Sequence, residues 1–280
     1  MISNRSSKAL IAGLSMIGLF SVISPAFATI FSIDDFSITR VRDGVTTTIF
    51  QDDFNNGVAP TVPPYFINGV VGTESGGKYS FDTATGGIFD SATGEGQVRV
   101  ASARFNPVVT NETLNLRSTD AFLVVGVFDL ISPVNLREAY GLRLNDAGIP
   151  STTSNLNDRL EILVTRTLAG LLTIQFRDSD SFLNTVTLLG SADLETNHNQ
   201  IVLAIGKRDA AVNAISAGFA YRDGGVDGVF TEFTNTGTLF DGENFTRAEF
   251  RATTPVPIAP TLSLTLLGLV SMFAMRKRKA

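Results

Sequence analysis

The chain has 280 residues, with 22 basic and 27 acidic side chains, no Cys, no Trp, a single His and a formal net charge of −5. Six of the basic residues lie in segments 1–28 and 255–280, which hold no acid, so the 226 residues between carry 16 basic against 27 acidic groups. So acidic a body excludes a nucleic-acid binder, which needs a basic face, and one His without Cys excludes a zinc site built from those ligands.

The first element in chain order is a secretory signal. Arg5 and Lys8 precede an apolar stretch at 9–23, and Pro25-Ala26-Phe27-Ala28 follows. The Ala26/Ala28 pair is a small-x-small cleavage pattern, so residues 1–28 read as a signal helix handled by the Sec export machinery, with the mature chain starting at Thr29. An exported chain without Cys has no disulfides, and its core has to hold it together. At this length a chain buries about 70% of its unfolded surface, enough for one domain at 29–254.

The body alternates apolar and polar residues over short runs separated by Gly, Asn, Asp and Ser, the period of half-buried strands. Strands are expected at 36–42 and 45–50, joined by an Asp43-Gly44 hairpin turn, then at 97–105 and 140–144. They continue at 159–166, 171–177, 186–189, 199–206, 213–221 and 247–252. The run 121–131 is apolar on both faces, as in a central strand covered on both sides. Segments 58–68, 146–158 and 231–246 read as polar or Pro-rich loops. With no 3.6-residue apolar stripe, about ten to fourteen strands imply an all-β sandwich or jelly roll.

Candidate chemistry is sparse. His198 lies in the polar turn Thr196-Asn197-His198-Asn199, and no Gly-x-Ser-x-Gly elbow accompanies it, so it reads as a solvated turn residue rather than a catalytic one. Calcium needs only oxygen ligands, and the acidic turns bearing Asp178/Asp180 and Asp223/Asp227, with Asp52/Asp53 as a further pair, are the places for it; solvated turn acids are the plainer account. Glycan sites use aromatic platforms, and with no Trp the best-placed polar ring is Tyr65 in Pro63-Pro64-Tyr65-Phe66, while the 21 Phe residues read as core.

The last 26 residues have three parts. Pro255-Val256-Pro257-Ile258-Ala259-Pro260 comes first, then an apolar run to Met275, then Arg276, Lys277, Arg278 and Lys279 before the final Ala280. Val256 to Met275 is 20 residues without a charge, the length of a membrane-crossing helix, with a basic cluster that stays cytoplasmic. This order resembles the PEP-CTERM sorting signal of Gram-negative bacteria, whose Pro motif is met here by Val256, Pro257 and Pro260, without its Glu and with one extra residue between the prolines. The resemblance implies transient insertion in the inner membrane, cleavage by an exosortase-type protease and sorting to the surface or matrix. The alternative is a permanent single-pass anchor.

The opening Asp52-Asp53-Phe54-Asn55-Asn56-Gly57 and the succession of strands from 160 to 221 resemble concanavalin-like, laminin-G-like jelly rolls. In the glucanases of that fold the catalytic carboxylates stand on one strand as Glu-x-Asp-x-x-Glu or Glu-x-Asp-x-Glu, a spacing this chain lacks. The expectation is a non-enzymatic, structural or adhesive surface or extracellular-matrix protein, and the PEP-CTERM resemblance implies that it is associated with exopolysaccharide. A carbohydrate-binding, calcium-dependent module is the alternative, and an unrecognised glycoside hydrolase the second.

Overall fold

Asp43 and Gly44 both take positive φ, 52° and 75°, the two-residue turn whose twist matches a hairpin, and they join β1 (Ile30–Arg42) to β2 (Val45–Asp52). The sequence pattern starts this hairpin at 36, but β1 begins at Ile30. A register shift between Ile33 and Asp35 lets Phe31 and Ile33 point inward before it and Phe36 and Ile38 after it. The extra residue breaks the period of two and hides the first half of the strand.

The computed structural model describes residues 30–57, 65–68, 72–82, 88–90, 98–105, 114–133, 138–145, 159–180, 185–212, 214–233 and 244–255. Residues 1–28 and 256–280, expected from the sequence to be an export signal and a sorting tail, lie outside these residues. No helix among the described residues is long and apolar enough to cross a membrane.

After the hairpin come β3 (Tyr65–Asn68), β4 (Thr73–Glu74), β5 (Tyr79–Asp82), β6 (Ile88–Asp90), β7 (Val98–Phe105), β8 (Ala121–Asp129) and β9 (Ala139–Asn145). Then follow β10 (Arg159–Arg166), β11 (Leu172–Asp180), β12 (Thr185–Asp193), β13 (Gln200–Lys207), β14 (Ser216–Asp223), β15 (Val226–Asp227), β16 (Thr231–Phe233) and β17 (Arg247–Pro255). Every pairing is antiparallel. The first sheet runs β15-β14-β13-β8-β1-β5-β4, with β2 beside β1 and β16 beside β14, and the second runs β12-β11-β10-β9-β17-β7-β3, with β6 beside β7.

The all-β sandwich is as the alternation predicts, with two corrections. Segments 58–68 and 231–246 are not loops throughout, since they contain β3 and β16, and the seventeen strands among the described residues exceed the ten to fourteen expected. Of the six additions, β4, β6, β15 and β16 are two or three residues long and β3 and β5 four, too short to alternate visibly.

Inward residues of both sheets form one continuous apolar cluster. Phe250 of β17 meets Phe36 of β1 across the two sheets at 5.3 Å between ring centroids, with Phe54 at 5.9 Å and Tyr79 at 5.7 Å around it. Tyr140 is packed between Phe31 and Phe128, and its hydroxyl accepts the Ile131 N–H at 3.1 Å, which satisfies the buried polar tip. Lys207 also points inward by alternation. Its ammonium reaches the carbonyls of Ser118 at 2.5 Å, Ala210 at 2.8 Å and Asp120 at 3.3 Å, while burial lowers its pKa. Nearby, Arg42 donates to both oxygens of the fully buried Asp120, and these bonds tie the 114–120 segment to the first sheet.

Candidate functional site

The outer face of the second sheet carries a transverse row of alternating charge. Arg177, Glu161, Arg143 and Glu249 are successive register partners across β11, β10, β9 and β17. Glu161 Oε1 accepts from Arg143 Nε at 2.5 Å and from Arg251 Nη1 at 2.6 Å, and Glu249 Oε1 lies 3.4 Å from Arg143 Nη1. The side chains of Glu161, Arg143, Arg251 and Glu249 are at most 7% exposed. Glu161 is occupied by two guanidinium groups, so the row acts as a charge-assisted brace across the sheet and not as a pair of carboxylates open to a substrate. Each charge is visible in the sequence as the polar member of an alternating strand, but only the register puts opposite signs side by side.

The outer face of the first sheet is apolar and open. Val202, Ala204 and Gly206 of β13 stand opposite Ala220, Gly218 and Ser216 of β14 on one side and Val127, Val125 and Leu123 of β8 on the other. Here the expectation for 121–131 is corrected in part: Val127 is covered by Val202 and Ala220, but Leu123 is 47% exposed. Two glycines let larger side chains lie on this floor. A Cβ at Gly206 would meet Leu123 Cδ1 at 3.0 Å, and one at Gly218 would meet Phe230 Cε1 at 2.6 Å. Phe230 remains 41% exposed and departs from the reading of every Phe as core.

Leu123 and Phe230 both line a groove of ≈ 580 Å³ with this floor of small residues. The charges that line it already have partners. Arg208 pairs with Glu232 at 2.8 Å, Arg222 holds both oxygens of Asp227, and the Lys207 ammonium is bound by its carbonyls. Further along β1, burial raises the carboxyl pKa values of Asp34 and Asp35. Asp34 is bonded by Gln200 and faces Lys78 at 3.4 Å, and Lys78 also pairs with Asp129 at 2.5 Å. No sequence signal marked this face, because Ala and Gly in a strand are silent until the fold lines them up.

His198 differs from the solvated turn residue expected. It lies in the 194–199 connection that leads from β12 in the second sheet to β13 in the first. Its Nδ1 is 2.6 Å from Asp223 Oδ2 and its Nε2 is 3.5 Å from Glu195 Oε2. Its ring stacks on Tyr221 with 4.0 Å between centroids and 13° between planes. The Tyr221 hydroxyl accepts the Glu195 N–H at 2.7 Å, and Asp223 Oδ1 accepts the Asn199 N–H at 3.0 Å.

The two acidic turns proposed for calcium stand on different sheets. Asp178 is buried on β11 of the second sheet, the side chain of Asp180 lies outside the described residues, and Asp223 and Asp227 stand on β14 and β15 of the first sheet. Asp223 is held by His198 and Asn199, and Asp227 by Arg222, so either would have to leave those partners to ligate a cation. Among the described residues no group of three His, Asp or Glu side chains is gathered as metal ligands. Asp52 and Asp53 each turn back to cap a nearby N–H, of Phe54 and Asn55. Tyr65 is on β3, with its side chain outside the described residues, as are Ala26, Ala28, Val256, Pro257, Pro260 and the basic cluster 276–279.

No protein-family model and no curated protein matches the chain. Among solved structures it is similar in fold to the crystal structure of a GH43_12 retrieved from capybara gut metagenome, at 9% identity and a TM-score of 0.41. That match covers 74% of this chain and 35% of the other, so the chain spans about a third of the length of that protein.

Proposed function

We propose that the chain is an exported, non-enzymatic surface or extracellular-matrix protein whose sandwich adheres to exopolysaccharide through the outer face of its first sheet. The observation that carries this reading is the open groove with Phe230 and Leu123 among its walls, a floor of small residues and charged side chains already engaged. A sugar ring can lay its apolar face on such a surface, with hydroxyls toward the polar rim. The acidic body needs no basic partner for this contact. Export through the 1–28 signal and removal of the 256–280 tail by an exosortase-type protease would deliver the sandwich to the outside of a Gram-negative cell.

The test is co-sedimentation of the full chain with the producing organism's own exopolysaccharide. Saturable binding that falls about tenfold or more in Phe230→Ala, with far-ultraviolet circular dichroism unchanged, supports the reading; binding that Phe230→Ala leaves untouched removes the groove from it. The hydrolase alternative has one supporting feature, the carboxyls of Asp34 and Asp35 raised by burial on the same face, since a general acid has to keep its proton near neutral pH. It requires release of reducing ends that Asp35→Asn abolishes.

A further inference from the structure

We propose that His198 is a proton-operated latch that fastens the β14–β15 hairpin to the 194–199 connection between the two sheets. The imidazole stands between carboxylates on two segments, Asp223 at 2.6 Å on the hairpin and Glu195 at 3.5 Å on the connection. The groups that face it are Asp223 and Tyr221 from β14 and Glu195 from its own segment. As the imidazolium it offers an N–H to each carboxylate and rests its charge on the electron-rich face of the Tyr221 ring. As the neutral ring it keeps one N–H. With that proton on Nδ1 toward Asp223, the Nε2 lone pair faces the Glu195 carboxylate, and attraction on that side becomes repulsion. Deprotonation therefore makes the contact within the connection, at Glu195, repulsive and reduces the bond that crosses to the hairpin, at Asp223, from a charge-assisted hydrogen bond to an ordinary one.

Two backbone bonds report on it. Glu195 N–H is held by the Tyr221 hydroxyl, and Asn199 N–H by the second oxygen of Asp223. The hairpin continues through Gly228 to Phe230 and β16, so the latch acts on the segment that leads to one wall of the groove. It stands on its own geometry, whatever occupies that groove.

The hydrogen bond to Asp223, then the charge of Asp223 and the contact with Glu195, raise the His198 pKa above its usual 6.5. A group raised on folding contributes stability that is complete below its unfolded pKa and is lost as pH rises through the folded one. The latch is thus closed in mild acid and opens on the alkaline side of 6.5.

The chain has a single histidine, so its imidazole proton resonance can be followed in the full-length protein without assignment, between pH 5 and 9 and with no sugar present. The expected midpoint lies above 6.5 and moves down toward it in Asp223→Asn. Hydrogen-exchange protection of the Glu195 and Asn199 amides, corrected for intrinsic rates, should fall severalfold from pH 6 to 8.5. In His198→Phe, which keeps a ring on Tyr221 but cannot titrate, that pH dependence should vanish. A midpoint at or below 6.5, a midpoint that Asp223→Asn does not move, or unchanged pH dependence in His198→Phe overturns the latch. Because no ligand enters the experiment, its failure would leave the polysaccharide reading standing, and the reverse holds too.

Discussion

Gly141, in the middle of β9, has φ +154°, and a Cβ there would stand 2.0 Å from the carbonyl oxygen of Ile162 on the neighbouring strand. That oxygen is backbone in a paired strand and cannot step aside. Gly141→Ala should therefore cost more than about 4 kcal/mol, read as a fall in the urea midpoint or as failure to fold. Glu161, one strand away, is the second sensitive position, because it compensates both Arg143 and Arg251. Glu161→Gln preserves shape but leaves two nearly buried guanidinium groups short of a counter-charge, and a loss of about 3–5 kcal/mol in equilibrium unfolding is expected. A loss below 1 kcal/mol would mean that Glu249 takes over the pairing. From the sequence, Glu161 and Arg143 are simply polar residues on alternating strands; 18 positions separate them, and their meeting depends on the β9–β10 register.

At the scale of elements, the β1–β2 hairpin was the most legible. Asp43-Gly44 between two alternating runs carries its own mechanism, and the observed φ values of 52° and 75° agree with it. Gly44 has open space around the missing Cβ, so the effect of a substitution there is conformational rather than steric. Gly44→Ala is expected to lower stability by about 1 kcal/mol in thermal unfolding, whereas Asp43→Asn, which tolerates positive φ as well, should stay within about 0.5 kcal/mol. The strands from β8 to β14 were legible within a few residues because each is a long uninterrupted run that either alternates or, as in β8 and β13, is apolar on both faces. The first half of β1 was hidden by its bulge. β3 was hidden by the prolines before it, which announce a loop while leaving Tyr65–Asn68 free to pair with β7.

Taken as a whole molecule, the two sheets share one apolar cluster, crossed by Phe36, Phe250, Phe31 and Tyr140. Neither sheet can bury its inner face without the other, so unfolding should be a single cooperative event. Far- and near-ultraviolet circular dichroism should give coincident urea transitions, and two separated midpoints would show that the sheets melt independently. The amino-acid sequence determined on its own whatever depends on local period and inventory: an all-β body, its main strands, the hairpin turn, a Phe-rich core, and the lack of His and Cys for a zinc site. Each of these follows from residues a few positions apart. Tertiary structure alone decided which strands are neighbours, and with that the charge row of the second sheet, the open floor of Ala and Gly beneath Phe230, and the placing of His198 between Asp223 and Glu195. Asp223 is 25 positions from His198, and Gly206 and Gly218 belong to different strands. Register and packing bring such residues together, and neither is written in the spacing of any one segment.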